Sequence, residues 1–150
     1  MINLDEMYMR KALAEARVGG QKDEVPVGVI ITNEKEIIAK AHNLCVCLCD
    51  PTAHAEMQAI TSACSYLKSR YLTECTMYST LEPCIMCAGA LYWSQIGRLV
   101  YGAADKKLGG FSRKAQLIHP KTKITSGILE YECGEIISDF FKKKRKFKLN

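Results

Sequence analysis

Apolar residues change their spacing repeatedly along this chain, and that switching restricts the fold more than any other feature. Leu4, Met7, Tyr8, Ala12, Leu13 and Ala16 recur at the helical period, and Asn3 with Glu6 three positions on makes a capping-box pattern. A helix is therefore expected over 3–18, ended by Gly19–Gly20. "EVPVGVIIT" is rich in β-branched residues and reads as a buried strand, "NEKE" as a turn, and "IIAKAHNLC" as the second strand of a hairpin. The helical period returns over 53–67. "CTMYST", 75–80, is a short strand, and Pro83 stands at the expected first position of a helix reaching about Gln95. "RLVYGA", 98–103, is a strand. "ADKKLGGFSRKAQ" is a polar loop with a glycine pair, a candidate lid or binding loop. A short strand is expected near Lys123–Thr125 and a last helix over about 129–146. A hairpin followed by strands alternating with helices requires parallel pairs, right-handed crossovers and helices on both faces. The expected class is α/β: a five-stranded mixed sheet in a three-layer α/β/α arrangement.

At 150 residues the chain fits a single domain over 1–150 with a substantial core. Its first residues mix acids into an amphipathic period, so no secretory signal is read there, and no apolar run is long enough to span a bilayer. A cytoplasmic protein is expected, and in a reducing compartment its eight cysteines read as free thiols or metal ligands rather than disulfides. The net charge of +5 is uneven: the end, "FKKKRKFKLN" (141–150), holds six of the 21 basic residues and no acid. Removing those six leaves 15 bases against 16 acids, so the body is nearly neutral. Such a tail can bind phosphates, or it is a solvated helix end whose cations suit the helix dipole.

Two stretches carry the chemistry. Cys84 and Cys87, in "TLEPCIMCAGA", are three apart at a predicted helix start, which puts both sulfurs on one face where the dipole favours thiolates. Alone, that pair is open between a redox dithiol and a metal site. His54, in "PTAHAEMQAI", opens the preceding predicted helix. Each helix follows a strand, so both starts can lie at one edge of the sheet and the three side chains can converge. One imidazole and two thiolates suit zinc. Three protein ligands leave a position for water, which is the catalytic arrangement, whereas a structural site closes with four. Glu56 would stand near that water as a general acid–base. Cys45, Cys47 and Cys49, in "NLCVCLCD", share one face if that segment is a strand, and are read as packing residues or surface thiols rather than as a fourth ligand.

"HAE" followed by "PCIMC" resembles the zinc-dependent cytidine deaminase superfamily. "EVPVG", "DPTAHAE", "TLEPCIMCAGA", "IGRLVYGA", "HP", "GIL" and "SDFF" followed by basic residues are similar to the bacterial tRNA-specific adenosine deaminases, over nearly the whole chain. The resemblance implies zinc on His54, Cys84 and Cys87, proton transfer by Glu56, a hydrogen bond from Asn43 to the target base, and Val27 lining the base pocket. It further implies that Asp105 and Lys107 meet flanking nucleotides and that Lys142, Lys143 and Arg145 contact phosphates. At least one of Phe140 and Phe141 is expected in the core, because the predicted last helix needs an apolar face. The implied substrate is the wobble adenosine of a tRNA anticodon stem–loop, and the implied assembly is a homodimer. Two segments depart from the family pattern, "LCVCLC" before the first motif and the loop at 104–114. The rival expectations are a deaminase of a free base or nucleoside, and a zinc-stabilised binding module without catalysis.

Overall fold

The computed structural model describes residues 2–113 and 117–148, without the side chains of 112 and 113. Five helices, α1 (Leu4–Gln21), α2 (Ala55–Leu67), α3 (Ile85–Ser94), α4 (Gly110–Arg113) and α5 (Glu130–Lys148), surround five strands. These are β1 (Gly28–Asn33), β2 (Glu36–His42), β3 (Cys75–Leu81), β4 (Arg98–Ala103) and β5 (Lys123–Ser126), in the order β2-β1-β3-β4-β5. The hairpin β1–β2 and the pair β1–β3 are antiparallel, whereas β3–β4 and β4–β5 are parallel. The expected mixed sheet is present.

Alternation along the strands builds the layers. Val29, Ile31, Met77 and Leu99 pack in one cluster with Ala55, Ala59 and Leu91 of α2 and α3. Ile30, Tyr78 and Val100 point the other way, into a cluster with Met9, Ala12 and Leu13 of α1 and Cys133 of α5. α1 begins as its sequence predicts, with Asn3 Oδ1 accepting from Glu6 N at 3.3 Å. Its first turn is then tied to the sheet. Arg98 donates to both oxygens of Asp5, at 2.8 and 2.7 Å, and Tyr78 Oη donates to Oδ1 at 3.0 Å. The bond from Arg98 holds the Asp5 carboxyl below its ordinary pKa. α1 lies close enough to β1 that Gly28 faces Ala12 O and Ala16 N directly, with no space for a side chain.

Several boundaries differ from the sequence expectation. α1 runs through Gly19 and Gly20 to Gln21, because Gly19 is buried against the His42 ring and keeps its helical conformation. Val27 and Asn43 lie one residue outside β1 and β2. Pro83 is not the first helical residue: Cys84 is the N-cap and Ile85 begins α3. Residues 45–49 form a turn rather than a strand, so their cysteines do not share a strand face. Neither Phe140 nor Phe141 is core. Phe140 is half-buried beneath the Lys144 ammonium, 5.4 Å from the ring centroid, where Lys144 also pairs with Asp23, and Phe141 is exposed. Among the described residues, no helix is long and apolar enough to cross a membrane.

Candidate metal centre and pocket

His54 and Cys84 occupy equivalent places, each the extended N-cap residue of a helix packed on one face of the sheet. Neither makes a side-chain cap hydrogen bond. A Ser, Thr, Asp or Asn there would stabilise each helix by about 1 kcal/mol. Two helices forgoing that contribution at facing positions indicates that the side chains serve another purpose. At α2 the loss is offset from outside: Asn43 Oδ1 accepts from Ala55 N at 2.7 Å, in a buried setting.

The purpose is visible in the distances. His54 Nδ1 lies 3.6 Å from Cys84 Sγ and 3.5 Å from Cys87 Sγ, and the three donor atoms fall within 4.8 Å of one another. Zinc bonds of about 2.0–2.1 Å to nitrogen and about 2.3 Å to sulfur, set at a tetrahedral angle, space such atoms by about 3.6 Å. The donor set therefore fits one zinc ion by chemistry and by spacing. Among the described residues this is the one cluster of three or more candidate ligands, and Cys45, Cys47 and Cys49 are not in it. Cys47 and Cys49 are exposed and Cys45 is half-buried.

The thiols are electronically unequal. The neighbouring Cys87 thiol, with smaller help from His54, holds the Cys84 thiol down to about 5, while the proximity of Cys84 and burial push Cys87 up. Cys84 thus presents a ready thiolate, and Cys87 must give up its proton when a cation binds. Glu56 is 4% exposed. Its Oε2 accepts from Cys87 Sγ at 3.0 Å, and its Oε1 lies 3.3 Å from Ser79 Oγ. Burial raises its pKa above the ordinary carboxylate range. A buried carboxyl with a raised pKa beside a three-donor cluster is equipped to move protons there.

Val27 is buried beside β1, and Asn43 is buried at the end of β2. Asp105 turns its carboxylate into its own loop, where Oδ1 accepts from Lys107 N and Leu108 N at 3.1 Å. Lys142, Lys143 and Arg145 are exposed on α5. Sequence reasoning missed Ser79 and two buried acids. Glu24 accepts from Val46 N and Cys47 N, both at 2.9 Å, and so fixes the turn at 45–49. Glu82 accepts from Asp105 N at 3.2 Å and Phe111 N at 3.1 Å. A faint signal was available, since each acid stands in an "EVP" or "EP" string just before a site segment.

A family model of the cytidine and deoxycytidylate deaminase zinc-binding region matches residues 2–103. The tRNA-specific adenosine deaminase of Aquifex aeolicus is 47% identical, covering 93% of this chain and 95% of its own. That of Bacillus subtilis is 42% identical, covering 96% and 92%. A solved structure from studies of A-to-I editing by tRNA:A34 deaminases superposes with a TM-score of 0.80 at 40% identity, over 87% of this chain and 98% of its own.

Proposed function

The chain belongs to the zinc-dependent deaminase family that includes the tRNA-specific adenosine deaminases, and on that premise we propose how its residues divide the work. The protein is a hydrolase that converts adenosine to inosine at the wobble position of a tRNA, with one zinc ion per chain. The observation that carries the residue assignment is the His54–Cys84–Cys87 cluster at tetrahedral spacing with Glu56 beside it.

His54 Nδ1 and the two cysteine sulfurs hold the ion. Zinc, when bound there, supplies a water whose pKa falls from about 15.7 to roughly 7. Glu56 takes one proton of the attacking water as C6 of adenine is attacked and gives it to N1. It then takes the second, from the new C6 hydroxyl, and passes it to the departing amine, so ammonia leaves and inosine remains. Its buried setting raises its pKa above the ordinary carboxylate value, as this shuttling demands. Ser79 orients the carboxylate. Asn43, with Oδ1 engaged by Ala55 N, meets the base through its amide nitrogen, and Val27 walls the pocket. The target base must leave the anticodon stack to reach this depth. Asp105 and Lys107 meet the nucleotides beside it, and Lys142, Lys143 and Arg145 contact phosphates.

We read residues 1–150 as one cytoplasmic deaminase domain whose eight unpaired thiols suit a reducing compartment. Its homodimer is supported by the outer face of α3. There Ile85 and Trp93 are 50% and 78% exposed, and Gly89 between them offers close approach. A sedimentation mass of one chain at micromolar concentration removes the dimer. The test of function is incubation of the protein with an anticodon stem–loop, beside free adenosine, cytidine and guanine. Inosine should form in the RNA, with binding that weakens steeply as salt rises. Turnover of a free base with none of the RNA would overturn the reading.

A further inference from the structure

Glu82 sits between the two halves of the site. It directly precedes Pro83 and Cys84, the metal-bearing cap, and it is only 2% exposed. Its two oxygens accept from opposite ends of the loop that carries Asp105 and Lys107, Oε1 from Asp105 N and Oε2 from Phe111 N. Between those anchors the chain is sewn to the same cap. Gly110 N donates to Pro83 O at 2.8 Å, and Cys84 pairs with Gly109 in an isolated antiparallel bridge. Gly109 packs so closely on Glu82 Oε2 and Asp105 O that a Cβ there would overlap both. A carboxylate of this kind has one role in water and another here. Buried, it satisfies amides that would otherwise be unpaired, and charge-assisted bonds to backbone N–H groups are stronger than neutral ones.

We propose that Glu82 is a positioning residue that locks the 105–111 loop to the metal-bearing cap and so sets the grip on nucleotides flanking the target adenosine. The proposal rests on the RNA-deaminase reading above. It follows from geometry: among the described residues the loop pairs with a strand-like partner only at the single bridge, and Glu82 is the one side chain that ties its two ends together. Glu82 is not one of the three cluster ligands, so its loss should act on binding more than on chemistry.

The test is Glu82→Gln. The amide keeps one acceptor but turns an NH2 toward a backbone N–H, so one anchor is lost. KM for the anticodon stem–loop should rise about tenfold, a change of about 1.4 kcal/mol, with kcat within about threefold and zinc still one per chain. Hydrogen exchange at Asp105 N and Phe111 N should quicken while Ala88 N in α3 stays protected. Removing a base beside the target should weaken the parent protein and cost the variant little more. Gly109→Ala, which displaces the carboxylate without altering it, should reproduce the KM effect and guards against a folding artefact. An unchanged KM with unchanged exchange, or a fall confined to kcat, overturns the proposal. Absence of RNA turnover by the parent protein would instead overturn the function, and the exchange measurement would still decide the anchoring.

Discussion

Glu56→Gln is expected to retain zinc and fold while losing inosine formation by about 10²–10⁴-fold, the usual contribution of a positioned general acid–base. The amide matches the carboxyl in shape and can still meet Ser79 Oγ, but it cannot carry the two protons of the attacking water, one to N1 and one to the amine. The loss should fall on kcat with little change in RNA affinity, because the side chain is 4% exposed and lies inside the pocket. In the metal-free protein the same variant should gain stability at neutral pH. Burial raises the Glu56 pKa, so its favourable contribution is complete only below the ordinary carboxylate value near 4.5 and is lost as pH climbs through the raised one. Gln does not ionise and escapes that loss. Denaturation of metal-free parent and variant between pH 5 and 8 checks this: the variant's advantage should grow with pH. Full activity in Glu56→Gln would remove the carboxyl from the mechanism.

Gly28→Ala is expected to cost stability more than ordinary overpacking does. The new Cβ would overlap Ala12 O and Ala16 N, which belong to the backbone of α1. A side chain could rotate away, but here a helix must lift from the middle of the sheet. Gly28 is also held by its neighbours, with Gly28 N donating to Thr80 Oγ1 at 3.1 Å and Gly28 paired with His42 in the hairpin. Overpacking typically costs 1–3 kcal/mol, and a backbone target places this case at about 3 kcal/mol or more. For a chain of this length that lowers Tm by about 6–12 °C. A melting point unchanged within 2 °C would mean that α1 lies farther from β1 than described.

These two residues mark what a sequence reveals and what it hides. The alternation Val29/Ile31 against Ile30 exposes a strand buried on both faces, and the two helix starts bring His54 and Cys84 together by topology alone. The metal cluster was therefore legible from residue type and spacing. The cysteines at 45, 47 and 49 are packing or surface thiols outside the cluster, as expected, but whether their segment is a strand was not legible from period-two spacing. What decides that segment is Glu24, more than twenty residues away, whose carboxylate takes the amides of Val46 and Cys47 and holds a turn. Glu82 was hidden for the same reason, since its partners at 105 and 111 are adjacent only after folding. Pro83 illustrates a local ambiguity: proline suits the residue before a cap as well as the first helical turn, and only the extended backbone of Cys84 separates them. At least one phenylalanine of α5 was expected in the core from amphipathic need, but Phe141 is exposed and Phe140 is only half-buried, beside Lys144, where the end of the helix lies against the Asp23 turn.

The central claim is that one imidazole and two thiolates would hold a zinc ion beside Glu56. X-ray absorption at the zinc edge of the isolated protein tests it most directly. The spectrum should show one zinc per chain, with two sulfur neighbours at about 2.3 Å and two nitrogen or oxygen neighbours at about 2.0–2.1 Å. A shell of three or four sulfurs, which would draw in Cys45, Cys47 or Cys49 and close the site, or a protein that carries no zinc, would contradict the account.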